Sequence, residues 1–357
     1  MITRNKVVAF VKDEWLFLIA VLGLLLTSAY LHRVPSYSRS DLEILYILFI
    51  LFIVTNGLQR HGVISGIARK LERGRFVAAK MVIVTFFLSM FVTNDVALIS
   101  IVPLTMMLHI NNIEWLIILE ALAANAGSAL SPFGNPQNLY IYWFYNVPFS
   151  EFVVTIIPFS ALFLIFLLIG AFLINSNKIS HKDSAQEKLK TPAFIYLGML
   201  IVFILAVLRV LPLVIGLGVI FYALFFDRRS MKVDYILLAT FACFFGFTDN
   251  LQIILSGVLA HPHHVFLLAV GLSQVISNVP TALLLADFTA HWKSLLWGVS
   301  VGGFGTLVAS LANLIAYRLY VRQEKQRALP FAKKFHILSF LALGMGVLLY
   351  YLLYVAV

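Results

Sequence analysis

Apolar runs recur along this chain at the length of a bilayer's hydrocarbon core: Trp15 to Leu31, Leu42 to Leu58, Phe149 to Ile174, Ala193 to Leu208, Leu211 to Phe226, Val233 to Phe247, Ser294 to Tyr317 and Phe335 to Val355. About 20 apolar residues span a membrane as a helix. The period-2 alternation of a membrane β-barrel is missing, so the runs read as helices. Hydrophobic residues make up 61% of the 357 and charged ones 12%, a balance no soluble core requires. The expected fold is therefore all-α and polytopic. The first run follows Arg4, Lys6 and Lys12 without a convincing small-residue cleavage site, and is read as a retained helix.

The net charge of +10 does not point to nucleic acid. The cations gather between the runs, as the positive-inside rule demands. Arg4, Lys6 and Lys12 mark one cytoplasmic segment, and Arg60, Arg69, Lys70, Arg73, Arg75 and Lys80 a second. Lys178, Lys182, Lys188 and Lys190 mark the central linker. Arg228, Arg229 and Lys232 mark another, as does the run Arg318, Arg322, Lys325, Arg327, Lys333 and Lys334. Stretches 109–114, 145–150 and 256–264 carry no Lys or Arg. The N-terminus is expected in the cytoplasm and the C-terminus outside, in the cytoplasmic membrane of a cell. Residues 61–75, with basic and apolar positions interleaved, read as a helix lying on the cytoplasmic surface.

Polar landmarks recur in the two halves in the same order. Thr55-Asn56-Gly57-Leu58-Gln59 answers Thr248-Asp249-Asn250-Leu251-Gln252, and Ser89 with Thr93-Asn94 answers Ser273 with Ser277-Asn278. Gly127, Ser131, Gly134, Asn135 and Asn138 answer Gly302, Thr306, Ala309, Ser310 and Asn313. The basic loop follows the first landmark in one half and the third landmark in the other, so the halves enter the membrane from opposite sides. Inverted repeats of this kind hold substrate and coupling ions near the midplane.

Residues 1–174 form the first repeat, 175–210 a cytoplasmic linker with a connecting helix, and 211–357 the second repeat. With 59–80 and 175–192 both cytoplasmic, an even number of crossings must lie between them. Residues 150–174 supply one crossing, and 115–145, broken at Ser131-Pro-Phe-Gly-Asn-Pro, supply another. Residues 81–108 then form a re-entrant hairpin with Thr93-Asn94-Asp95 at its tip. Its counterpart is 264–290, with Ser277-Asn278 at the tip, followed by a broken helix over 294–320. About nine transmembrane helices of bilayer length and two hairpins result.

Hairpin tips and unwound helices expose backbone groups that suit ions: carbonyls and side-chain oxygens for sodium, free amides for an anion. Small polar residues also let helices pack closely, but paired and ordered sets in both halves favour a site. Asp95 is the sharpest single residue, and its counterpart is Val279. It either carries a coupling proton, helps bind a cation or accepts backbone hydrogen bonds. Asp249, Glu120 and Asp287 are read either as relays or as helix-end or interface-facing acids. His261, His263 and His264 form an outer-loop cluster without the acid or cysteine of a zinc site. Cys243 is a small packing residue.

At these landmarks the chain resembles the ion transporter superfamily: arsenite permeases, sodium/proton antiporters of the NhaD type, citrate and anion permeases, and divalent anion/sodium symporters. Thr93-Asn94-Asp95-Val-Ala-Leu with Pro103, and Ser277-Asn278-Val279-Pro280, resemble the permease hairpins, and Gly127 to Asn138 the unwound-helix motif. The resemblance implies one cation held by Ser89, Thr93, Asn94 and Gly134 and another by Ser273, Ser277, Asn278 and Ala309. It implies substrate at Asn94, Asp95, Asn135, Asn278 and Ser310. The chain departs from the symporters' Ser-Asn-Thr triplets, since Asp95 and Val279 replace both threonines.

A secondary transporter for a small anion or carboxylate is the first reading. It is driven by sodium or protons through alternating access. With no Lys or Arg expected at the site, the anion would be held by amides, hydroxyls and the coupling cation. A cation/proton antiporter or an arsenite-like exporter is the second reading. A channel is disfavoured because the Asn135-Pro136 pair is answered by Ser310-Leu311, and an enzyme because no nucleophile and base are paired. Expected partners are the bilayer and a small solute or ion, with no nucleic acid; a homodimer is left open. Sodium is the one expected cofactor-like ion.

Overall fold

A computed structural model describes residues 14–64, 66–67, 75–108, 110, 112–174, 191–254 and 262–354. Among them every regular element is a helix. The chain runs α1 (Trp15–Leu31), α2 (Arg39–Arg60), α3 (Val77–Val92), α4 (Asn94–Met106), α5 (Ile113–Ser128), α6 (Pro136–Phe144), α7 (Phe149–Leu173) and α8 (Thr191–Val207). It continues through α9 (Gly216–Phe226), α10 (Tyr235–Ile254), α11 (Pro262–Ile276), α12 (Asn278–Ala286), α13 (Trp292–Gly302), α14 (Leu311–Gln323) and α15 (Ala328–Tyr354). Four segments are long and apolar enough to cross a membrane by length and composition: Arg39–Arg60, Phe149–Leu173, Arg228–Ile254 and Lys325–Tyr354. The central linker over 175–190, most of the surface helix expected over 61–75, and His261 lie outside the described residues.

The order α2, α3–α4, α5–α6, α7 repeats as α10, α11–α12, α13–α14, α15. In each half a pair of helices meets at one residue, and a second helix is interrupted near its middle. The second arms are short. The 13 residues of α4 and the 9 of α12 reach only about 20 and 14 Å at 1.5 Å per residue, less than the roughly 30 Å of a hydrocarbon core.

The halves are interleaved. The second arm α4 packs on α14 of the other half, and α12 packs on α6. Outside them, α1 packs on α10 and α9 on α2. Such exchange gives each half a buried face that it could not make alone.

Polar ties fasten the helix ends into two groups. At one end Asn56 donates to the carbonyls of Ser230 (3.0 Å) and Lys232 (3.1 Å). Beside it Asp227 accepts from Arg60 (2.8 Å) and Ser230 (2.6 Å) and meets His61 at 2.9 Å. At the other end of α10, Asp249 pairs with Arg33, while Asn250 donates to Thr27 and Ser28. Asp249 is thus a helix-end acid with a structural partner. The first landmark ties helix ends together in both halves.

Three boundaries differ from expectation. The span expected to end at Phe247 continues to Ile254, so Thr248, Asp249 and Asn250 lie within α10. The run expected from Leu211 opens with a 3-10 turn at Leu213–Ile215 that leads into α9. The broken helix expected to end at 320 continues through Arg322 to Gln323, and Lys333 and Lys334 lie in α15 rather than in a loop. Lys and Arg are good helix formers whose long stems cover apolar surface, so charge alone does not end a helix.

Burial works against the charge of Asp227, but hydrogen bonds from Ser230, His61 and Arg60 prevail and hold its carboxyl well below the usual carboxylate range. A depressed folded-state value stabilises the fold above the ordinary carboxylate pKa of about 3.9 and is lost as pH falls through the lowered value. Asp227→Asn should cost about 2 kcal/mol at pH 7 in detergent-purified protein. It should also flatten the acid limb of thermal stability; an unchanged acid limb would count against this role.

Candidate functional site

Thr93 joins α3 to α4 at φ 75°, ψ 149°, and Ser277 joins α11 to α12 at φ 74°, ψ 156°. Positive φ is unusual outside glycine, and for a β-branched threonine it is an outlier that surroundings must hold in place, at about 1–3 kcal/mol. The interrupted helices match as closely. Asn135 precedes α6 at φ −156°, ψ 158°, and Ser310 precedes α14 at φ −146°, ψ 142°.

Each break is closed by one asparagine. Asn138 Nδ2 lies within hydrogen-bond reach of the carbonyls of Ser128 (3.2 Å), Ala129 (2.9 Å) and Ser131 (3.1 Å). Asn313 Nδ2 does the same for Gly303 (2.9 Å) and Thr306 (3.2 Å). Tips and breaks are then stitched together. The Asn94 N–H donates to the Gly134 carbonyl at 3.2 Å, and Ser131 Oγ to the Met90 carbonyl at 2.6 Å. In the second half Ser277 Oγ donates to the Ala309 carbonyl at 3.4 Å, and Gln274 Nε2 reaches the carbonyls of Gly302 (2.9 Å) and Phe304 (3.0 Å).

Close approach of tip helix and broken helix needs glycine at matched places. A Cβ at Gly127 would fall on the Phe86 carbonyl oxygen and 2.7 Å from Ser89 Oγ; one at Gly302 would fall 2.6 Å from Ser273 Oγ. Ser89 and Ser273 sit at those contacts, each donating to a carbonyl of its own helix, Phe86 (2.8 Å) and Ala269 (2.6 Å).

One cavity of about 180 Å³ lies among these parts. Asn94 and Asp95 line it from the first tip, and Ser277, Asn278, Val279 and Pro280 from the second. Pro136 and Gln137 line it from the first break, and Ser310 and Leu311 from the second. The N-termini of α4, α6, α12 and α14 therefore converge on one space. Each helix start carries roughly half a positive charge from its unsatisfied amides. The cavity runs toward Glu14 and Asp234, which precede α1 and α10, and Arg318 of α14 also lines it.

Of the residues expected to meet substrate, the cavity brings together Asn94, Asp95, Asn278 and Ser310. Asn135 lies outside the lining: its Oδ1 accepts from the Asn138 N–H at 2.9 Å and its Nδ2 donates to Ser128 Oγ at 3.1 Å. Of the expected cation sets, Gly134 adjoins Asn94 and Ala309 adjoins Ser277 through the bonds given above. The expectation that no cation lies at the site is corrected by Arg318, which helical continuation of α14 carries into the cavity wall.

Sequence reasoning also passed over Asn125, which is 6% exposed in the middle of the bundle. Its Oδ1 accepts from Asn94 Nδ2 (3.3 Å) and Ser310 Oγ (2.9 Å), and its Nδ2 donates to Asn313 Oδ1 (2.8 Å). One carboxamide thus ties the first tip to the second break. The signal was present: a lone amide in the alanine-rich run 121–126 of a membrane helix needs partners from other helices.

A family model described as citrate transporter matches residues 7–302. The chain belongs to that family. It is 33% identical over 326 residues to the uncharacterized transporter MJ0456 of Methanocaldococcus jannaschii, covering 86% of this chain and 90% of that one. It is 37% identical over 291 residues to the inner membrane protein YbiR of Escherichia coli, covering 75% and 77%. A shorter match, 32% over 130 residues, joins 34% of this chain to 27% of the silicon efflux transporter LSI3 of Oryza sativa subsp. japonica. Fold and family together make this protein a membrane transporter.

Asn125→Ala would leave Asn94, Ser310 and Asn313 each short of a buried partner, and about 1–3 kcal/mol of stability should go with each unsatisfied group. Gly127→Ala and Gly302→Ala should destabilise by a similar amount through overpacking. Gly198→Ala, where a Cβ meets nothing within 4 Å, should not destabilise. Thermal midpoints in detergent separate these cases, and equal midpoints for Gly302→Ala and Gly198→Ala would contradict the packing described.

Proposed function

We propose that this protein is a secondary active transporter of a small anion or carboxylate in the cytoplasmic membrane, coupled to sodium or protons and working by alternating access. The observation that carries this reading is the convergence of four helix N-termini, drawn from both halves, on one cavity that also contains Arg318. Backbone amides at helix starts bind anions without a dedicated charge, and a guanidinium adds long-range attraction. Asn94, Asn278, Ser277 and Ser310 supply the directional hydrogen bonds.

The α3–α4 and α11–α12 pairs act as hairpins entering from opposite sides, which their short second arms favour. The end of the bundle holding Asn56, Arg60 and Lys232 is the cytoplasmic one by its loop charge, which puts the N-terminus inside and the C-terminus outside. On this reading the cavity, lined toward that end by Glu14 and Asp234, belongs to an inward-facing state. Coupling sodium would sit where tip and break meet, near Thr93, Asn94 and Gly134 and near Ser277, Asn278 and Ala309. There carbonyl and side-chain oxygens lie together.

A second reading is proton-coupled export of a cation or an uncharged hydroxide. It is favoured by Asp95, whose Oδ1 is buried without a hydrogen-bond partner among the described residues at the cavity. The similarity to a silicon efflux transporter is in keeping with it.

Purified protein in liposomes, screened over citrate, other dicarboxylates, sulfate and arsenite with sodium or pH gradients, tests both readings. Asn94→Ala and Asn278→Ala should each reduce uptake at least tenfold, and intact transport in both would refute the site. Arg318→Gln should raise KM for an anion by about tenfold, the value of one charge-assisted hydrogen bond of about 1.5 kcal/mol. An unchanged KM would favour an uncharged substrate. Asp95→Asn should abolish pH dependence under the second reading and spare it under the first.

A further inference from the structure

Glu120 lies in the third turn of α5, 0% exposed, in a segment whose neighbours are Leu119, Ala121 and Leu122. Its Oε1 accepts a hydrogen bond of 2.5 Å from Thr105 Oγ1, while its Oε2 is buried with no hydrogen-bond partner among the described residues. Thr105 itself is 0% exposed and belongs to α4. We infer that Glu120 is a proton-binding site, separate from the substrate cavity, whose loading and release is coupled to the position of the first tip. This rests on the transport reading above for its use, though not for its existence.

An ionised carboxylate without a counter-charge is among the most expensive groups to bury, and one hydroxyl donor does not compensate it. The helices packed on α5 are α3, α4, α7, α14 and α15. Their charged groups are Lys80 on α3, Asp95 on α4 and Glu151 at the start of α7. On α14 there are Arg318 and Arg322, with Tyr317 and Tyr320; on α15 there are Lys333, Lys334 and His336, with Tyr350, Tyr351 and Tyr354. Lys334 is committed to Glu114 at 2.5 Å, about 9 Å from Glu120 along α5, and Asp95 and Arg318 line the cavity. Among the described residues no ion pair reaches Glu120. With Oε1 accepting from Thr105, the proton belongs on Oε2.

Position makes that proton consequential. Glu120 lies about 7.5 Å along α5 from Asn125, which binds Asn94 at the tip and Ser310 at the second break. Thr105 lies about 15 Å along α4 from Asp95. The carboxyl and its hydroxyl partner therefore bridge the two helices whose far ends form the first half's share of the cavity. When α4 moves relative to α5 and water reaches Oε2, its O–H bond breaks and the proton passes to water. The carboxylate left behind keeps the Thr105 bond until a proton returns. The position matched to Glu120 in the second half is Leu295, so the first half alone holds this group.

Infrared difference spectroscopy of the full-length protein in liposomes, recorded as pH is stepped, reads the proton directly. A protonated-carboxyl stretch should be present at neutral pH, vanish in Glu120→Gln and persist in Asp95→Asn. Thr105→Val should shift its frequency. A spectrum unchanged by Glu120→Gln overturns the site. Citrate is the probe for coupling: pH-gradient-driven accumulation should fall at least tenfold in Glu120→Gln while citrate counterflow stays within twofold of wild type. Accumulation equal to wild type overturns the coupling. A wild type that moves no citrate but shows the Glu120 band overturns the substrate reading and leaves the proton site standing.

Discussion

A helix broken at membrane depth leaves carbonyls and amides that lipid cannot hydrogen-bond, each at a cost of several kcal/mol, and the arrangement of this protein follows from meeting that demand. Asn138 and Asn313 fold back onto the carbonyls just before them and let the breaks exist. The carbonyls of Gly134 and Ala309 are met by the tips instead, through the Asn94 amide and the Ser277 hydroxyl. Satisfying the breaks therefore brings each tip to its break. It also brings the starts of four short helices to a common space.

Backbone angles at the two tips agree within several degrees and Gly127 and Gly302 each meet a serine of the tip helix, whereas several other side chains around them do not repeat. Asn125, which ties the first tip to the second break, is matched by Ser300, whose hydroxyl is buried without a hydrogen-bond partner among the described residues. Asn138 Oδ1 is likewise without one, whereas Asn313 Oδ1 accepts from Asn125. Gln274, which binds its break, is matched by Met90, and Asp95 and Glu120 by Val279 and Leu295. The shared backbone gives two equivalent junctions, and the acids Asp95 and Glu120 belong to the first half's arms alone.

Much of this was legible in the chain. Ser89, Thr93 and Asn94 recurring as Ser273, Ser277 and Asn278 located both tips to the residue, because only a polar set tolerated by a special backbone would be repeated inside lipid-facing sequence. Charge located the helix ends only loosely, since Lys and Arg continue α14 and α15 as good helix formers. Arg318 was counted as a loop marker for that reason. Its place in the cavity wall depends on α14 resuming at Leu311, two turns before it, so that Leu311, Leu314 and Arg318 share one face. Asn135 shows the opposite error. It occupies the expected position in sequence, but an asparagine before Pro136 at a helix start caps that helix, and its side chain is consumed by Asn138 and Ser128.

The positive-φ residues at the tips bear on how the site could change state. Thr93 and Ser277 hold a conformation worth about 1–3 kcal/mol of strain each, and the bonds from tip to break help to keep it in place. Among the described residues those bonds come from the Asn94 amide and Ser131 hydroxyl on one side, and from the Ser277 hydroxyl, the Gln274 carboxamide and the Thr306 amide and hydroxyl on the other. Because strain and bonds oppose one another within a few kcal/mol, a ligand shifts the balance by the difference in its affinity for the two arrangements, and 1.4 kcal/mol already changes a population ratio tenfold. A ligand that touches both tips acts through that difference, beside the two residues where the backbone is strained.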